Sequence, residues 1–234
     1  MRELVTPIGK YLFFTILVGC VCLASLKVFY ATVASVQYYG ITNAIDGWRN
    51  GSEVTEANYS EAKALAKSLV SNHSDMAFYK DTLAEVLQWG LYLGFEESKG
   101  VNQGLLKLYN ESRAERPAWP VTWGNQAYVK WTAAAAEAEI TYDLHQAIAL
   151  GASTPELHIL MTRFGFLFLK SNPKMYLEFN KAITHRFALG LRNNLSKAEL
   201  IRIVENNNGA ATACVWLRQT DPTPSLHQIF KCNK

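Results

Sequence analysis

The run YLFFTILVGCVCLASL, from Tyr11 to Leu26, contains no charged side chain, and after Lys27 the chain stays apolar through Val28, Phe29, Tyr30, Ala31, Val33, Ala34 and Val36. A bilayer core takes about 20 helical residues to cross, so the uncharged run falls short by itself. The reading is a retained signal anchor over 11–36, in which Lys27 extends its ammonium to the head groups, Tyr30 serves as an aromatic anchor and Lys10 marks the opposite interface. Two rival readings remove the segment: a signal peptide cleaved near Ala24-Ser25, or a lipoprotein signal built on Leu17-Val18-Gly19-Cys20. Apolar sequence continues past both sites, which favours the anchor.

Arg2 and Lys10 precede the span, and by the positive-inside rule residues 1–10 are expected in the cytoplasm and the remainder outside it. Gly40, Gly47 and Gly51, among polar residues, suggest a juxtamembrane linker over 37–55 with at most a short helical turn. Residues 56–234 are then expected to form one extracytoplasmic domain, though the length left after the anchor also suits two small ones sharing an interface.

Hydrophobic residues make up 49% of the chain and charged residues 18%, which excludes a disordered protein. Residues 40–162 carry 9 Lys/Arg against 15 Asp/Glu, whereas 163–234 carry 11 against 4. The plain reading is mutual attraction within one fold. The sharper one is a basic face for an anionic glycan, phospholipid head groups or an acidic partner. Cys20 and Cys22 lie in the apolar segment, leaving Cys214 and Cys232 as the pair outside it. An oxidising compartment would allow these two to bond, and two unrelated thiols are the alternative.

Helical periodicity dominates the rest. Ala62, Leu65, Ala66 and Leu69 form a stripe over roughly 56–71; Met76, Tyr79, Leu83, Val86, Leu87 and Gly90 mark a second helix closing near Gly94, and Leu105, Leu106, Leu108 and Tyr109 a third. After Pro117 and Pro120, helices are predicted over 121–137 and 139–150, ending at Gly151. Ser153-Thr154-Pro155-Glu156, Asn172-Pro173 and Ser196-Lys197-Ala198-Glu199 read as three further helix starts. No stretch alternates strictly, so the fold class is all-α: one transmembrane helix followed by a helical-hairpin domain. The pair at 121–150 has the size of a tetratricopeptide repeat, though Trp123 and Pro155 fall out of that register, and such hairpins mostly bind.

Chemistry is sparse. His73, His145, His158, His185 and His227 show no metal-site spacing, and no cofactor is implied. Glu96-Glu97 and Glu137/Glu139 are the close carboxylates that invite a glycosidase reading, yet neighbouring helical residues point apart. There is no phosphate loop or nucleophile elbow, and the basic residues from Arg163 to Arg202 lack the context of a nucleic-acid binder. Gly90 and Gly94 fit a small-xxx-small pattern outside the span, where close packing or a helix end explains it. Asn58, Asn72, Asn110 and Asn194 begin Asn-x-Ser sequons that matter only in a eukaryotic secretory host. The most distinctive string is RPAWPVTW, Arg116–Trp123. Its tryptophans either fill the base of the hairpin or stack on a sugar or anchor a partner, making Arg116, Trp119 and Trp123 the interaction candidates.

The order of membrane anchor, RPAWPVTW, a helical pair ending in AIALGASTPELH (Ala147 to His158), and an apolar helix with Gly165-Phe166 resembles the VpsP family of bacterial exopolysaccharide-biosynthesis proteins, most clearly over 116–170. The resemblance implies an inner-membrane protein working with polysaccharide synthesis and export functions, and it supplies no catalytic residues. The expectation is a non-enzymatic, membrane-anchored accessory protein with a periplasmic domain and protein partners in that machinery. A glycan-modifying enzyme with a helical cleft, or a general scaffold in secretion or division, are the alternatives.

Overall fold

The computed structural model describes residues 7–221 and 223–232, and all regular structure among them is helical. The chain divides into two compact units, residues 1–96 and 97–234.

In the first unit, α1 (Pro7–Arg49) runs unbroken, and α2 (Glu56–Asn72) and α3 (Ala77–Leu93) pack on each other and on its second half. The expected linker over 37–55 is thus mostly helix, and only residues 50–55 connect. Ala34, Ile41, Ile45 and Trp48, spaced to share one helix face, are all buried. Each buried Ile or Trp is worth roughly 1.5–3 kcal/mol, more than the roughly 1 kcal/mol that a helical glycine costs at Gly40 or Gly47. The same docking corrects the expectation of one domain over 56–234, because α2 and α3 bury their faces with α1 as partner. Among the described residues, α1 is the one helix long and apolar enough to cross a membrane. Lys27 and Tyr30 lie exposed on it; Arg2 and the side chain of Lys10 fall outside what the structure describes.

The helix ends follow local chemistry. Thr55 and Asn58 form a reciprocal cap on α2: the Asn58 N–H donates to Thr55 Oγ1 at 3.3 Å and the Thr55 N–H to Asn58 Oδ1 at 3.0 Å. Gly94 closes α3 in the left-handed conformation, φ 80°. Gly90 serves close packing, since a Cβ there would strike the Tyr59 ring and Glu96.

The second unit is a series of eight helices among the described residues: α4 (Ser98–Glu115), α5 (Pro120–Thr132), α6 (Glu137–Leu150), α7 (Pro155–Ser171), α8 (Pro173–Arg192), α9 (Lys197–Asn206), α10 (Ala210–Thr220) and α11 (Pro224–Ile229). Proline occupies the first turn of α5, α7, α8 and α11, where its missing N–H costs nothing. The hairpin expected over 121–150 is the packed pair α5–α6, but α5 stops at Thr132 rather than 137. Alanine favours helix, yet the chain must reverse here for α6 to lie back on α5, and Ala134 takes up the turn at φ 53°. Of the three predicted starts, Asn172 caps as expected, accepting from the Met175 N–H at 3.1 Å. Thr154 makes no side-chain cap, and Ser196 donates its hydroxyl to Gly190 O at 2.8 Å instead.

α7 lies at the centre, against α5, α8 and α9, and is buried almost all round: Leu157, Leu160, Met161, Phe164, Phe166 and Phe168 are all in the core. Phe164 lies tilted against Phe168 at 5.1 Å, and Phe166 against Trp216 at 4.9 Å, whose indole N–H donates to the Tyr176 hydroxyl at 2.8 Å. Cys214 and Cys232 are joined by a disulfide across 18 residues. A loop of that size stabilises by roughly 3 kcal/mol. One pair inside this unit joins the acidic and basic halves in the expected sense, Lys174 with Glu137 at 3.1 Å.

Gly165 tests the packing of α7. A Cβ there would approach Ile183 to 2.7 Å and Trp216 to 2.8 Å. Gly165→Ala is expected to destabilise by about 1–3 kcal/mol through overpacking, read as a lowered urea midpoint for the detergent-solubilised full chain. An unchanged midpoint would mean that the α7–α8–α10 core is looser than described.

Candidate interaction face around Trp119 and Trp123

RPAWPVTW forms the corner between α4 and α5. Arg116 follows the last turn of α4, Trp119 precedes α5, and Pro120 opens that helix. The corner is closed by two hydrogen bonds: the Trp119 N–H donates to Arg116 O at 3.1 Å, and the Trp123 indole N–H donates to Pro117 O at 2.9 Å.

The two tryptophans separate into different roles. Trp123 is half-buried against the core, edge-on to Tyr142 at 5.9 Å, with the Arg113 guanidinium 4.0 Å from its ring centre. Trp119 is 37% exposed, and the Arg116 guanidinium lies 5.0 Å from its ring. Pro117, Ala118 and Tyr142 are exposed beside them. The face is aromatic and cationic, suited to a planar or acidic partner surface.

Beneath it lies a charge cluster that periodicity did not reveal. Asp143 is fully buried; Lys130 reaches its carboxylate at 2.7 Å and Arg113 at 3.7 Å. Burial pushes the Asp143 carboxyl up from the ordinary aspartate range, against the pull of the two cations. Arg113 therefore links the buried carboxylate to the Trp123 ring and holds the corner from behind. The available signal was positional, for Asp143 sits one turn from Ile140 and Ala147, on a stripe that is otherwise apolar.

The carboxylates considered for glycan chemistry are engaged elsewhere. Glu96 accepts from the Tyr59 hydroxyl at 2.7 Å and pairs with Lys63. These donors hold it below the usual glutamate range although burial pushes it up. Glu137 accepts from Asn172 at 2.6 Å and from Lys174, and Glu139 lies 3.7 Å from Lys130. Glu97 stands at the start of α4 without a side-chain cap. A cleft of about 250 Å³ near the disulfide loop is lined by His185, Arg192, Thr220, Asp221 and Thr223, and there Arg192 is paired with Asp221 at 2.6 Å. Among the described residues no three His, Cys, Asp or Glu gather as a metal site.

No family model, curated protein or solved structure matches the chain.

His158 is the histidine whose environment is most altered. It is buried in the first turn of α7, its Nδ1 has no hydrogen-bond partner among the described residues, and burial beside Arg186 and His185 lowers its pKa to about 4. It reads as a neutral core residue. Its folded pKa lies below the ordinary 6.5, so the stability due to neutral burial is complete above that pH and is lost as pH falls towards 4. The loss should be on the order of 3 kcal/mol. Urea melts of the full-length protein between pH 7 and pH 4 measure it. A folded His158→Leu variant should show a flatter profile, and an identical slope would remove His158 as the cause.

Proposed function

We propose that this protein is a membrane-anchored accessory component of bacterial exopolysaccharide production, binding partners of the synthesis or export machinery through the face that carries Trp119 and Arg116. The observation that carries the reading is the form of RPAWPVTW. The string that most resembles the VpsP family is also a corner held by hydrogen bonds and a buried ion cluster, with a large aromatic ring turned to solvent. Rigid aromatic and arginine surfaces lose little entropy on docking, which is why they dominate interface energetics. Ordered loops that expose such groups usually serve recognition.

Binding rather than catalysis is favoured by the pairing of Glu96, Glu137 and Glu139 with lysines, tyrosine and asparagine. A general acid for glycoside cleavage needs a raised pKa, whereas Glu96 and Glu137 are both lowered.

In this reading Trp119→Ala and Arg116→Ala reduce polymer output while the full-length protein keeps its circular dichroism and membrane level. Glu96→Gln, Glu97→Gln, Glu137→Gln and Glu139→Gln, made singly, leave output nearly intact. Polymer abolished by one folded, abundant glutamine variant would replace the binding reading with the enzyme one.

The inner membrane is the proposed location, with a cytoplasmic N-terminus and both helical regions periplasmic. The Cys214–Cys232 disulfide supports that side, because thiols stay reduced in the cytoplasm. A reporter active only outside the cytoplasm, fused after Lys234, should be functional. Activity of a strictly cytoplasmic reporter at that position would reverse the orientation.

A further inference from the structure

α1 and α3 run side by side in the same direction. Tyr38 meets Phe78 at 5.3 Å and Tyr79 at 5.7 Å, and ten residues further along α1, Trp48 meets Trp89 at 5.9 Å. α2 therefore descends towards the membrane end of the unit, and the α2–α3 turn, His73 to Met76, arrives at the level of Ala34 to Tyr38. His73 confirms the register, 5.8 Å from Tyr79.

An anchor over 11–36 would leave the bilayer at that level. Residues 11–36 measure about 39 Å along a helix axis, close to the roughly 40–45 Å of a bilayer with its head groups. On the faces of α1 away from α2 and α3, apolar side chains stay exposed to this height: Val33 at 39%, Val36 at 68% and Tyr39 at 64%. The turn brings its own exposed apolar group, Met76 at 40%, next to half-buried Phe78. Between Lys67 and Lys80 the only formal charge is Asp75.

We propose that the α2–α3 turn is a second membrane contact, with Met76 seated in the head-group layer and Tyr38, Tyr39 and Phe78 forming an aromatic collar around the emerging anchor. Tyrosine and its neighbours favour this layer because one end of the ring is apolar and the other wet. The partner is the lipid surface itself, reached through apolar and aromatic groups, so the contact does not depend on anionic lipid. It holds the unit upright on its anchor. The inference rests on α1 spanning the bilayer.

The test uses full-length protein in phosphatidylcholine vesicles carrying shallow spin-labelled lipids, with an environment-sensitive fluorophore at single sites. The sites are Met76→Cys and Tyr92→Cys, each with Cys20→Ala and Cys22→Ala and the disulfide intact, and native Cys20 with Cys22→Ala. Tyr92 is 81% exposed and about 21 Å farther along α3 than Phe78. The fluorophore at position 76 should be quenched several-fold more than at 92, and adding phosphatidylglycerol should not change the ratio. Equal quenching at 76 and 92, with Cys20 strongly quenched by deep spin labels, would overturn the contact alone. A fluorophore on Cys20 that escapes deep quenching would remove the span and the contact with it.

Discussion

The second helical unit depends on how one buried cation is neutralised. Arg186 of α8 is buried, and among the described residues no carboxylate pairs with it. Its guanidinium donates to the carbonyls of Ile148, at 2.9 Å, Gly151 and Ala152, where α6 ends. These are oxygens that a helix end leaves without intrahelical donors, and they carry the negative end of its dipole. An uncompensated buried charge would cost several kcal/mol, so α8 must pass this point. α7 begins within four residues of it, and both meet again where Gly190 of α8 lies under His158. Burial lowers the pKa of His158 most and the neighbouring Arg186 lowers it further, so the joint that orders three helices also helps keep His158 neutral.

Much of this is legible in the sequence, in places where one residue type answers to one local need. Proline in a first helical turn, Asn172 as a cap, Gly94 as a stop and the i, i+3, i+4 stripe of α2 all act within a turn or two of their own position. Beyond residue 36 of α1 the sequence misleads for the opposite reason. Gly40 and Gly47 argue locally against helix, while the burial that outweighs them comes from α2 and α3. The early end of α5 is similar, since alanine propensity says continue and the docking of α6 says turn.

The aromatic corner is half visible in the sequence. Trp119, Trp123 and Arg116 stand out by composition, but their different exposure does not, because four residues apart on a corner they meet different surroundings. Arg113, Lys130 and Asp143 come from three helices and only distance unites them. Charged residues on an apolar stripe were the trace they left in the sequence, and Arg186, between Ile183 and Phe187, left the same trace.

These interrupted stripes also bear on what the corner is for. A loop that only connected two helices would need neither a buried aspartate nor two cations, since replacing such a cluster with apolar side chains is often neutral or stabilising. Here the cluster fixes Arg113, Arg113 lies against Trp123, and the Trp123 indole closes the corner on Pro117. The same corner carries Trp119, the most exposed tryptophan among the described residues. The buried Asp143 thus serves the rigidity of the corner, through Arg113 and the Trp123 ring.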